Sequence, residues 1–108
     1  MKPLLLILLL SACSTIDYEN RVEGWPVLRE EVRVVSSAEM HKHCDKYAGV
    51  LESTFACAEI FFKPPICKIW ITEAGGWIEK HERAHCAGYD HPGSKTMRTM
   101  LTAYKRAK

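Results

Sequence analysis

The spacing of apolar and polar residues changes period several times along the chain, and each change marks an element. From Val27 to Val35, Leu28, Val32 and Val34 fall on one side and Arg29, Glu31 and Arg33 on the other, the period-two pattern of a half-buried strand. Ser36-Ser37-Ala38-Glu39 matches a capping box, in which a serine hydroxyl satisfies a free N–H of the first helical turn. The helix it opens runs to about Ala48, with Met40, Cys44, Tyr47 and Leu51 on one stripe and Gly49 ending or loosening it. Phe55 to Phe62 and Ile66 to Thr72 are apolar, β-prone runs around Lys63-Pro64-Pro65, so a hairpin is predicted. Ala74-Gly75-Gly76 breaks the second strand, and a helix follows from about Trp77 to Ala87, stopping at Gly88. Pro92-Gly93 turns the chain, and Ser94 can cap a last helix. That helix carries Met97, Met100, Leu101 and Tyr104 at i, i+3, i+4 and i+7, with Lys95, Arg98, Lys105 and Arg106 off the stripe.

The residues before Val27 follow no such pattern. Met1 and Lys2 give a short positive start, Leu4 to Leu10 is unbroken apolar sequence, and Ser11, Ala12 and Cys13 follow. The run is too short to span a bilayer as a helix and reads as the apolar region of a secretory signal, outside the fold. Leu10-Ser11-Ala12-Cys13 resembles the lipobox of bacterial lipoproteins. That resemblance implies a signal peptide over 1–12, cleavage before Cys13 and acylation of its sulfur, which anchors a protein stably when two or more chains are attached. Ser14 in place of Asp implies, by the same resemblance, sorting to the outer membrane, facing the periplasm. Residues 13–24 are then the lipidated cysteine and a polar tether, whose last eleven residues extend to at most about 40 Å. Residues 25–108 form the folded domain.

With 108 residues there is room for one domain, and 47% hydrophobic residues suffice for its core. A net charge of +2 is too close to balance to suggest a nucleic-acid partner. Besides Cys13, the chain has Cys44, Cys57, Cys67 and Cys86, an even number that an oxidising compartment turns into two disulfides. If the hairpin turns at 63–65, residue 57 lies opposite about 71 and residue 67 opposite about 61. Cys57 and Cys67 then share a sheet face but are too far apart to join, so each reaches a helix cysteine. The shorter separations favour Cys44 with Cys57 and Cys67 with Cys86 over the swapped arrangement.

The chemistry is concentrated in residues 81–91, His-Glu-Arg-Ala-His-Cys-Ala-Gly-Tyr-Asp-His. His81 and His85 are four apart, so on a helix they share a face and can grip one metal ion. Glu82, next to the first ligand, can reach a water on that ion. Gly88 can take positive φ and end the helix sharply, so the chain can bring back His91 as a third nitrogen. Asp90 competes for that place. Three protein ligands with an open fourth position describe a catalytic zinc site.

These residues resemble the zincin metallopeptidases, and within them the metzincin pattern His-Glu-x-x-His-x-x-Gly-x-x-His, every fixed position of which is present. The resemblance covers 11 of 108 residues. It implies Zn²⁺ on His81, His85 and His91, Glu82 as general base, and a twisted sheet backing the zinc helix, with an edge strand open to extended peptides. Three features depart from the pattern. The chain is far shorter than most such catalytic domains. Met97 and Met100 follow His91 closely, as a methionine turn would, but both also fit the apolar stripe of the last helix. Arg83 is charged where that position is usually not; at about 200° around the helix from His81, it should face away from the metal, toward Glu79.

Of the remaining candidates, His41 and His43 lie off the first helix's stripe and read as solvated, and Trp25, Trp70 and Trp77 as core or groove wall. Tyr89 and Tyr104 can help polarise a carbonyl, with core packing the default for Tyr104. The sequence therefore predicts an α+β domain: a small antiparallel sheet, an early helix, a zinc-binding helix and a C-terminal helix. Its expected function is zinc-dependent peptide-bond hydrolysis on a peptide or envelope-protein substrate by a lipid-anchored protein of the cell envelope. The alternative is a non-catalytic zinc-binding lipoprotein, acting as a structural or adaptor module.

Overall fold

The structure, a computed structural model, describes residues 6–11, 15–48 and 54–107. Cys13, Ser14, Gly49 and Leu51, to which the sequence assigns roles, lie outside the described residues. The elements are β1 (Leu6–Ser11), β2 (Arg29–Val34), α1 (Ser37–Ala48), β3 (Thr54–Phe62), β4 (Pro65–Ile71), α2 (Gly76–Cys86) and α3 (Thr96–Ala107). The domain is α+β, as its periodicities require, with the strands in one sheet of order β1-β3-β4-β2.

Period-two alternation in the hairpin divides the core between the two faces of the sheet. Ala56, Ala58, Ile60 and Phe62 of β3 join Cys67, Ile69 and Ile71 of β4 on one face, packed against Cys86 of α2, Met97, Met100 and Leu101 of α3, and Val22, Trp25 and Leu28. Cys57 and Trp70 point the other way, against Met40 and Cys44 of α1. The sheet is thus a middle layer, with α1 on one side and α2 and α3 on the other. The serine half of the capping box forms, the Glu39 N–H donating to Ser36 Oγ at 3.1 Å, while the Glu39 carboxylate bonds His43.

Several local expectations are corrected. Phe62 pairs with Pro65, so only Lys63 and Pro64 make the turn, and Cys57 stands opposite Trp70 while Cys67 stands opposite Ile60. That one-residue difference in register puts the two cysteines on opposite faces, because a strand's side chains alternate. Each still reaches the helix on its own face, and the disulfides are the favoured pair, Cys44–Cys57 and Cys67–Cys86. Second, β2 runs parallel to β4, because α1 and β3 intervene before the chain returns beside it, so the sheet is mixed. Val34 is exposed rather than inward.

Third, the apolar run Leu6 to Leu10 does not stand apart from the fold. Leu6 to Leu10 pairs antiparallel with β3, from Ile60 to Ala56; the free N–H and C=O groups along a sheet edge take up any extended neighbour. Fourth, residues 17–24 are not a loose tether. The Asp17 N–H donates to the Asp90 carbonyl, the Asp90 N–H to the Asn20 carbonyl, and the Val22 N–H to the Gly88 carbonyl. Val22 and Trp25 are buried. A segment without hydrophobic periodicity is held here by backbone pairing to a loop far along the chain.

Candidate metal centre

The centre is assembled from the last turns of α2 and the loop that leaves it. Cys86 ties α2 to β4 through Cys67, which fixes the helix against the sheet and removes Cys86 as a thiolate ligand. Beyond Cys86, Gly88 has φ +100°. A β-carbon there would also stand 2.7 Å from Trp25 Cγ, so both the turn and the packing require glycine. The Trp25 indole N–H donates to the Cys86 carbonyl at 2.9 Å, satisfying an acceptor that the end of the helix leaves free.

Past the turn, Asp90 is turned toward the backbone rather than toward the histidines. Its carboxylate is buried and accepts from the His91 N–H at 2.7 Å and the Met97 N–H at 3.1 Å. It therefore orients His91 and caps the first turn of α3. Asn20 holds the loop from the other side: its Nδ2 donates to the His91 carbonyl at 2.8 Å and the Ser94 carbonyl at 3.2 Å. Sequence reading missed Asn20, which has no periodic or motif signal and lies 71 residues from its partner.

His81, His85 and His91 converge and can together hold a metal ion. The His85 and His91 Nε2 atoms are 3.2 Å apart, and those of His91 and His81 are 3.4 Å apart. Nitrogens on one tetrahedral ion at a bond length of about 2.0–2.1 Å stand about 3.3–3.4 Å from each other, so these two spacings fit, and all three ligand atoms lie within 4.8 Å of one another. The opposite side of the His85 ring is fixed, with Nδ1 3.4 Å from Met97 Sδ and a hydrogen bond to the Tyr89 backbone. Such contacts on the far nitrogen orient a ligating imidazole. Met97 is thus both a fully buried core residue and a support for the His85 ring. Among the described residues, no further His, Cys, Asp or Glu joins the group.

Electrostatics favour neutral imidazoles here. Burial, then the charge of His91, lowers His81 to about 4. Burial, then His91 and His81, lowers His85 to about 2 against the Tyr89 hydrogen bond. His91 is lowered by burial, with Asp90 opposing. Three neutral rings with converging nitrogen lone pairs are the form that binds a cation. Beside them Glu82 is 1% exposed, and its Oε1 has no hydrogen-bond partner. Burial pushes its carboxyl well above the usual range. A buried carboxyl oxygen without a hydrogen-bond partner is rare in a stable fold and calls for a specific reason, a catalytic role among them.

The other candidates fall outside this group. Arg83 faces away, as expected, donating to Glu79 and to Glu30 of β2. His43 is more constrained than a solvated residue: it stacks on Trp70 at 3.6 Å and bonds Glu39. Tyr104 stacks on Phe62 in the core, while Tyr89 meets Tyr18 and Arg21. Trp77 is exposed, its ring edge-on to His81 at 6.4 Å. With Phe55, Ile71 and Ile78 it lines a cavity of about 270 Å³ at the start of α2. No protein-family profile, curated protein or solved structure matches the chain, so the geometry of the centre is what bears on its chemistry.

Proposed function

We propose that the chain is a zinc-dependent metallopeptidase of the bacterial cell envelope, anchored by lipid on Cys13 to the outer membrane and facing the periplasm. The carrying observation is three converging imidazole nitrogens together with Glu82, which follows His81 in the chain and whose buried side-chain oxygen has no partner. A structural zinc site closes with four protein ligands. Here Cys86 is in a disulfide and Asp90 is engaged with backbone N–H groups, so the two nearest alternatives for a fourth ligand are already used.

The donor set suits Zn²⁺, which His81, His85 and His91 would hold and which would polarise a peptide carbonyl and make water more acidic. Glu82 moves the proton. It takes one from the attacking water as the water oxygen bonds to the carbonyl carbon, and delivers it to the amide nitrogen as the C–N bond breaks. Its buried surroundings, which raise its proton affinity, suit a group that must first accept and then return a proton near neutrality. The exposed Trp77 beside His81 and the adjoining cavity give an apolar substrate side chain a place next to the reacting bond.

The test is zinc content and peptidase activity of the full chain on a mixed peptide library, with products mapped by mass. About one zinc per chain with reproducible cleavage sites supports the proposal. Bound zinc with no cleavage of any peptide, and a fourth protein ligand in its coordination sphere, supports the non-catalytic module instead.

A further inference from the structure

The last helix has a face that neither the core nor the metal centre uses. Lys95, just ahead of α3, and Arg98, Lys105 and Arg106 within it are all exposed. At 100° per residue they fall within an arc of about 100°, which begins about 40° beyond Leu101 and is centred opposite buried Met100. From Pro92 onward the sequence has no Asp or Glu. Among the described residues, none of these four cations forms an ion pair. The result is a single-signed stripe along one helix.

That stripe lies beside the segment leading from Cys13. Asn20 is bonded to the Ser94 carbonyl at the start of α3, and the β-carbon position of Gly24 is 3.3 Å from Lys105 Nζ near its end. Residues 20–24 therefore follow α3 along its length. Asp17 is pinned to Asp90, and the four residues from Cys13 to Asp17 span at most about 14 Å. The geometry points to an anionic phospholipid surface as the partner of this stripe: we infer that α3 lies on the bilayer and holds the metal-site loop at its surface. This rests on the lipid-anchor reading, which makes headgroups the nearest polyanion.

Asp17, Glu19 and Glu23 oppose the docking, against Arg21 and the four stripe residues. Each basic residue near an anionic leaflet favours binding by about fivefold. The same surface would select substrates presented at the membrane over freely diffusing ones.

The experiment uses the full chain from bacterial membranes, reconstituted in vesicles of zwitterionic phospholipid alone or mixed with phosphatidylglycerol. A membrane-impermeant amine reagent labels it, and peptide mass mapping reads each lysine. Lys95 and Lys105 should label at least about fivefold more slowly on the anionic vesicles, and high salt should abolish the difference. Lys42, on the α1 side of the sheet, should not change. Arg98→Glu with Arg106→Glu keeps both reporter lysines and should remove the protection. Equal labelling on the two vesicle types, or protection that salt does not affect, overturns the inference. So does equal protection of the detergent-solubilised chain by a soluble polyanion such as single-stranded nucleic acid. The same digest shows whether the Cys13 peptide carries acyl chains. If it does not, the anchor reading fails on its own, and anionic vesicles added to the unacylated chain decide whether the stripe binds them.

Discussion

Asn20 and His91 are separated by 71 residues, yet the Asn20 side chain donates to the His91 backbone carbonyl at 2.8 Å. A residue from the supposed tether therefore positions a member of the three-histidine cluster. Asn20→Ala removes this bond and the one to Ser94. It should lower zinc affinity by about tenfold, as loss of a contact behind a ligand typically does, and stability by about 1–2 kcal/mol. Competition with a chromophoric chelator measures the first and urea denaturation the second. Unchanged affinity would show that the loop holds His91 without this clip.

Gly88→Ala should be among the most damaging single substitutions. It places a side chain at φ +100° and 2.7 Å from Trp25 Cγ. Backbone strain and overpacking together should cost roughly 2–5 kcal/mol, read as a lower denaturation midpoint, with zinc binding weakened because the turn delivers His91.

The Cys67–Cys86 bridge, at a sequence separation of 19, joins the sheet to the helix that carries His81 and His85. Replacing both cysteines with serine should lower stability by about 3 kcal/mol on loop-entropy grounds and loosen zinc binding as well. The Cys44–Cys57 bridge fastens α1 to the opposite face. Its removal should lower stability with little effect on zinc, which a chelator titration of both variants distinguishes.

The metal-free protein should lose stability as pH falls. An unfolded histidine takes up its proton near 6.5, whereas His81 does so only near 4 and His85 near 2 in the fold. Between these values the unfolded chain binds more protons, so acid favours unfolding and stability is restored as pH rises to 6.5. Glu82 acts in the opposite sense, since its raised value makes the fold the better proton acceptor. Glu82→Gln should therefore steepen the rise of stability with pH in chelator-treated protein, measured by denaturation across about pH 4–7.

What the sequence made legible is what depends on local spacing. The capping serine, the hairpin, the apolar stripe of α3 and the convergence of His81, His85 and His91 all follow from periods of two, three and four residues. The disulfide partners also emerged, although a two-residue turn placed Cys57 and Cys67 on opposite faces. The pinning of residues 17–24 to the His91 loop did not emerge, because single backbone bonds between distant segments leave no pattern in composition. The parallel pairing of β2 and the edge pairing of β1 were hidden for a related reason: alternation identifies a strand but not its neighbour or direction. Asp90 shows the limit at the centre itself. As a residue type it was a fair competitor to His91, and only its two backbone partners exclude it.

The central claim is that this centre carries out hydrolysis rather than merely holding metal, and Glu82→Gln tests it most directly. Glutamine keeps the size of the side chain in a site 1% exposed but cannot accept a proton near neutrality. Zinc stoichiometry and peptide cleavage should be measured side by side on the wild type, Glu82→Gln and His85→Ala. The wild type should bind about one zinc and cleave, Glu82→Gln should bind about one zinc and lose essentially all cleavage, and His85→Ala should lose both. Cleavage that persisted in zinc-loaded Glu82→Gln, or a zinc-loaded wild type that cleaved nothing, would contradict the account.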